Sequence, residues 1–87
     1  MIAEIYLHRD AERGSEPTLL WLVEEVGELV RAHRRGSRDE IEEEVADVLA
    51  WLASYANLMQ IDLEQAFSKK YPGRCSYCSS TPCRCGK

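Results

Sequence analysis

An all-α fold is predicted: a four-helix bundle completed by association between subunits and followed by a short Cys-rich C-terminal tail. Three observations predict it. Apolar residues recur at helical spacing along most of the chain before residue 71, with no strand alternation of comparable strength. Capping and stop residues fall at the ends of the periodic runs. A chain of 87 residues forms one domain at most, and its core is marginal when closed alone, so a homo-oligomer is expected.

The first helix is expected from Ile2 to about Arg9, with Ile2, Ile5 and Tyr6 on one side. Gly14-Ser15-Glu16-Pro17 then breaks it, and Pro17 suits the first turn of a second helix running to Arg35. That helix carries Leu19, Leu22, Val23, Val26, Leu29 and Val30 at helical spacing. Arg31, Arg34 and Arg35 suit its C-terminal dipole, and Gly36 stops it. Ser37 with Glu40 fits a capping box that opens a third helix, whose stripe Ile41, Val45, Val48, Leu49, Leu52 and Tyr55 continues to about Met59. Asp62 with Gln65 caps a fourth, Leu63 to Lys70, which Tyr71-Pro72-Gly73 ends. The compositional boundary near Pro72 divides a helical domain, residues 1–72, from a tail, residues 73–87.

Charge follows the same division. Residues 1–71 carry eight Lys and Arg against fifteen Asp and Glu, whereas residues 72–87 carry three basic residues and no acid. An acidic body makes nucleic-acid binding unlikely, because that affinity comes largely from neutralising phosphates, and it favours metal cations. No apolar run reaches the length of a membrane span, and the first residues lack a signal-peptide layout, so a cytoplasmic protein with no membrane partner is expected.

Two carboxylate clusters interrupt the apolar helices: Glu24, Glu25 and Glu28 in the second, Glu44 and Asp47 in the third. Acids one turn apart stack on one face and repel. An antiparallel pairing of the two helices through Gly36-Ser37 brings Glu25 and Glu28 opposite Glu44 and Asp47, where a divalent cation reverses the sign of the repulsion. Hard oxygen donors without Cys or His favour Mg²⁺, then Mn²⁺, and Mg²⁺ accepts further oxygens from a substrate phosphate. The bland alternative is a solvated acidic face, which Glu40, Glu42 and Glu43 suit well. A di-iron bundle requires Glu-x-x-His pairs; here His8 and His33 are isolated, and no His follows either cluster.

Glu24-Glu25-x-x-Glu28 followed by Glu44-x-x-Asp47 resembles the E-E-x-x-E then E-x-x-D signature of the all-α nucleoside triphosphate pyrophosphohydrolases, the MazG-like group related to dimeric dUTPases. The likeness covers about residues 4–72. It includes Trp21-Leu22-Val23 before the first cluster, Val48-Leu49-Ala50-Trp51 after the second, and Ile61-Asp62-Leu63-Glu64 at the last helix. The resemblance implies a homodimer or homotetramer with sites shared between subunits. It also implies Mg²⁺-dependent cleavage of a nucleoside triphosphate between its α- and β-phosphates, giving a monophosphate and pyrophosphate. On that pattern Glu25, Glu28, Glu44 and Asp47 are metal ligands, and Glu24 supports them or activates water.

Four carboxylates carry more charge than one Mg²⁺ offsets, so at least two metal ions are expected with substrate, and Glu24 or Glu43 is expected to orient the attacking water. Phosphate-binding cations are expected at Lys69, Lys70 and Arg74, where Lys70-Tyr71-Pro72 partly resembles the family's basic, aromatic, proline ending; complementing the dipole of the last helix is the simpler role. Trp21 and Trp51 each lie one turn from an acidic cluster and are candidates to stack a nucleobase, with Asn57 as a hydrogen-bonding amide, although Trp at helical spacing is more often core. The region before the second helix is short for an element that helps enclose the base in relatives.

Cys75-x-x-Cys78 and Cys83-x-Cys85 supply the four thiolates of a structural Zn²⁺ site, with a redox-labile disordered tail or a disulfide pair as alternatives. Two further functions stand beside the enzyme. One is a non-catalytic nucleotide- or metal-binding regulatory module. The other is a zinc-tail adaptor using Arg74, Arg84 and Lys87.

Overall fold

A computed structural model describes residues 1–86; Lys87 lies outside the described residues. The regular secondary structure among the described residues is all helical, with α1 at Ile2–Arg13, α2 at Ser15–Arg35, α3 at Arg38–Leu58 and α4 at Leu63–Lys70. Among the described residues there is no strand, and no helix is long and apolar enough to cross a membrane.

The first helix is longer than its apolar pattern indicates. It continues to Arg13, and Gly14 alone separates it from α2. Gly14 adopts φ 91° and ψ 168°, a backbone state that side chains disfavour, so a single residue turns the chain where four were expected to. Helix α2 therefore begins at Ser15, with Pro17 inside its first turn, where no intrahelical N–H bond is required. The extra turn of α1 places Asp10 and Arg13 against the rest of the molecule.

The α2–α3 corner follows local chemistry. Gly36 is left-handed (φ 73°), and its N–H reaches the carbonyls of Ala32 and His33 at 3.1 Å each. Ser37 Oγ accepts from the Glu40 N–H at 3.3 Å. The Glu40 carboxylate lies 3.7 Å from Arg35 across the corner. We expect Ser37→Ala to cost about 1 kcal/mol, read as a lower urea midpoint with unchanged slope. Asp62 Oδ1 caps α4 in the same way, accepting from the Gln65 N–H at 3.0 Å.

Helices α2 and α3 form a long hairpin, and α1 packs across it, mainly on α3. Helix α4 stands off, barely touching the others. The molecule is a slab of 42 × 36 × 21 Å with a radius of gyration of 15.7 Å, against about 12 Å for a compact domain of this length. Only Ala32 and Ala56 are buried apolar residues among those described. Leu22, Leu29 and Val48 are half-buried in the hairpin. Leu20, Val23 and Val30 on α2 and Val45 and Leu49 on α3 are open, Val23 to 66% and Leu49 to 58%. One helical partner cannot cover so broad an apolar band.

Beyond α4 the chain turns through Gly73 into a tail without helix or strand, where Tyr77 is 79% exposed. Ordering a segment of this length costs on the order of 15 kcal/mol, and no apolar core there offsets it.

Candidate functional site

The site lies on the α2–α3 hairpin. Trp21 stacks on Trp51 across the two helices, with ring centroids 5.9 Å apart and planes 18° apart. One turn further along each helix, Glu25 faces Asp47 and Glu44, and oxygens of these three carboxylates lie within 4.8 Å of one another. Glu25 follows Leu22 and precedes Leu29 on the seam of α2; Glu44 sits between Ile41 and Val48 on α3. The acids thus occupy positions where helical packing ordinarily puts apolar side chains.

Electrostatics record the strain of that placement. The Glu25 carboxyl is held above the usual carboxylate range, first by desolvation, then by its hydrogen bond with Glu44 and by the charges of Glu44, Asp47 and Glu28. Glu44 Oε2 is buried with no hydrogen-bond partner. An orphaned carboxylate oxygen is costly unless something electropositive approaches it. The donor set is oxygen only, which suits Mg²⁺ or Mn²⁺.

Glu28 lies outside this trio and pairs with Arg31 at 3.5 Å, although its charge is felt by Glu25. Glu24 and Glu43, each one residue from a cluster member and so about 100° round its helix, are exposed. His8 contacts Glu12 at 3.3 Å on the open side of α1, and His33 is exposed near the end of α2, so neither joins the acids.

Beside Asp47 opens a cleft of about 230 Å³ between α1 and α3, floored by Asp10, Ala50 and Ser54 and edged by Tyr6, Arg9, Arg13 and Trp51. Its cations come from α1. Arg13 Nη1 donates to Asp10 Oδ1 at 2.9 Å and to Thr18 Oγ1 at 3.2 Å, and its guanidinium lies 4.7 Å from the Trp51 ring centroid. Asp10 is only 2% exposed. Thr18, fully buried, donates to the Gly14 carbonyl at 2.7 Å. Sequence reasoning missed Arg9, Asp10 and Arg13. Their signal was the spacing of Tyr6, Arg9, Asp10 and Arg13 along one face, hidden once the helix was ended at Arg9.

The other expected substrate contacts lie elsewhere. Trp21 is committed to Trp51, and Asn57 is half-buried further along α3, outside the cleft. Lys70 Nζ sits 5.7 Å above the Tyr77 ring, and Arg74 lines a shallow groove between Tyr71 and the tail. Lys69 is exposed on α4. None of the three lines the cleft of its own chain.

In the tail, Cys75, Cys78, Cys83 and Cys85 bring their sulfurs within 4.8 Å of one another as free thiols, a group able to bind a metal. Backbone N–H groups of Arg84 and Ser80 lower the Cys78 thiol to about 6. Hydrogen bonding with Cys83, Cys75 and Cys78 pushes Cys85 up to about 11.

Comparison with curated proteins returns no match. The MazG nucleotide pyrophosphohydrolase domain matches residues 13–79, a span holding both acidic clusters, the Trp pair, α4 and the first two cysteines. With about three quarters of its length in that match, and with an all-helical fold that sets acids from α2 and α3 face to face, the chain belongs to the MazG nucleotide pyrophosphohydrolase family.

Proposed function

We propose that the chain is a Mg²⁺-dependent nucleoside triphosphate pyrophosphohydrolase, cleaving an NTP or dNTP between the α- and β-phosphates to a monophosphate and pyrophosphate. The observation that carries this reading is the meeting of Glu25 and Glu44, half-buried in the α2–α3 seam, with the exposed Asp47, Glu44 Oε2 being unpartnered, at the mouth of a cleft bearing Arg9 and Arg13. Mg²⁺, when bound, neutralises phosphoryl oxygens and the leaving pyrophosphate.

The residues divide the remaining work. Glu25, Glu44 and Asp47 hold the cation, and Glu28 joins them on leaving Arg31. Glu24 or Glu43 orients the attacking water. Arg9 and Arg13 face the phosphates or the base from α1, and Trp51 forms the wall of the cleft. Lys69, Lys70 and Arg74 serve the site of a neighbouring subunit, since α4 stands clear of its own. Association into a dimer or tetramer buries the open band of Leu20, Val23, Val30, Val45 and Leu49. Residues 1–72 form the catalytic domain in this reading, and residues 73–87 are an appendage.

The test is pyrophosphate release from a panel of standard and modified nucleoside triphosphates, with and without Mg²⁺. We expect release that requires the metal. Binding of triphosphates without turnover overturns the enzyme and leaves a regulatory nucleotide- or metal-binding module.

A further inference from the structure

Residues 73–86 lack an apolar core, yet four sulfurs converge there. Cys75 Sγ lies 3.7 Å from Cys85 Sγ and 3.4 Å from Cys83 Sγ, and all four fall within 4.8 Å of one another. One ion bonded to four thiolates at about 2.3 Å sets the edge of its sulfur tetrahedron at about 3.8 Å. The Cys75–Cys85 separation of 3.7 Å falls at that edge, the Cys75–Cys83 separation of 3.4 Å a little inside it, and the whole group stays within 4.8 Å. A disulfide, at about 2.05 Å, requires much closer sulfurs, and an iron–sulfur cluster places several atoms between its thiolates and spreads them further apart.

We infer that Cys75, Cys78, Cys83 and Cys85 hold one zinc ion in a closed structural site that folds the tail against the end of α4. Backbone donors are already aimed at the sulfurs. The N–H groups of Tyr77, Arg84 and Cys85 donate to Cys75, Cys78 and Cys83 at 3.4, 3.4 and 3.3 Å. Such donors orient thiolate ligands and spread their charge. The turn is tied independently of the sulfurs, by Ser79 N–H on the Cys75 carbonyl (2.9 Å), Cys75 N–H on the Ser80 carbonyl (3.0 Å) and Thr81 Oγ1 on the Gly73 carbonyl (2.7 Å).

Soft thiolates in a tetrahedron select zinc over the hard cations that suit the carboxylate trio. Four protein ligands leave no open position, so the ion performs no chemistry. Its consequence is positional. With the tail fixed, Tyr77 stays beneath Lys70, and Arg74 is held one residue before the first ligand. The thiolate site does not depend on the carboxylate trio or on hydrolysis.

Elemental analysis of the full chain, purified without added metal or chelator, tests the inference. The expected result is roughly one zinc per chain, falling at least about tenfold in a Cys78→Ser/Cys83→Ser variant whose helical circular dichroism is retained. Thiol titration of the unmodified protein gives a second readout that needs no variant. Four slow thiols should become fast when a strong chelator is added. Zinc below about half an ion per chain, iron in its place, or four thiols equally reactive before and after chelation overturns the proposal.

Discussion

Replacing Glu44 by Gln should abolish Mg²⁺-dependent pyrophosphate release while making the metal-free protein more stable. The two effects have opposite signs and a single cause. In the folded chain Glu44 brings negative charge against Glu25 and Asp47, with Oε2 buried and unpartnered. Without a cation that arrangement is net unfavourable. Gln keeps the shape and one oxygen, removes the charge, and introduces N–H donors that can satisfy the neighbouring carboxylates. A gain of about 1 kcal/mol is expected, or roughly 4–8 °C in melting temperature for a domain of this size. The raised Glu25 carboxyl should fall back toward its ordinary range, since Glu44 is the source of both its hydrogen-bond and its largest charge contribution after desolvation.

Function should respond the other way. A metal ion contributes several kcal/mol of charge stabilisation to phosphoryl transfer. At about 1.4 kcal/mol per decade of rate, losing it costs on the order of 10³-fold in kcat/KM. The unmodified protein should also gain about 2.7 kcal/mol of stability at a Mg²⁺ concentration one hundred times its dissociation constant, and the variant should lose most of that gain. Parallel thermal melts with and without Mg²⁺, beside pyrophosphate assays, separate the possibilities. Retained activity removes Glu44 from the metal site. Lost activity with a lowered metal-free melting temperature makes Glu44 a folding residue instead.

What the sequence disclosed and what it concealed divide along physical lines. The ends of α2, α3 and α4 rest on interactions three or four residues apart, so Gly36, Ser37 and Asp62 announce them. Convergence of Glu25, Glu44 and Asp47 was readable for a similar reason: helical spacing on each side of a two-residue corner leaves little choice of register. Glu28 was less legible because a local partner, Arg31, competes with the distant acids. The end of α1 was hidden because Glu12 and Arg13 carry no apolar mark, and a single positive-φ glycine does the turning. Distance from the site was hidden as well. Lys69, Lys70 and Arg74 read as a cationic helix end, but nothing local reports that α4 stands away from the hairpin while α1 brings Arg9 and Arg13 beside Asp47. The cysteine count gave the number of thiols in the tail; only the folded turn shows that the sulfurs meet.

The largest stability loss should come from Arg13→Ala. Asp10 is 2% exposed, and Arg13 supplies its charge partner at 2.9 Å, while Asp10 Oδ2 has no hydrogen bond of its own. Removing the guanidinium leaves a carboxylate enclosed without compensation, which typically costs 3–5 kcal/mol for a buried pair; Arg13 is partly exposed, so about 3 kcal/mol is the better expectation. The contact with Trp51 adds roughly 0.5–1 kcal/mol. Thr18 loses little, because its hydroxyl still donates to the Gly14 carbonyl. A domain with only about 5–15 kcal/mol of total stability is badly weakened by such a loss. The decisive comparison is the double variant Asp10→Ala/Arg13→Ala. If the penalty is the stranded carboxylate, the double variant is more stable than Arg13→Ala alone, by about 1–2 kcal/mol in urea melts. If the two are equally unstable, Arg13 acts through Trp51 and the α1–α3 contact, and the ion pair contributes nothing. Arg13→Lys refines the same point: it keeps the charge but loses the guanidinium, whose Nη1 donates to both Asp10 and Thr18 while its central carbon lies 4.7 Å from the indole centroid, so it should fall between the native chain and Arg13→Ala.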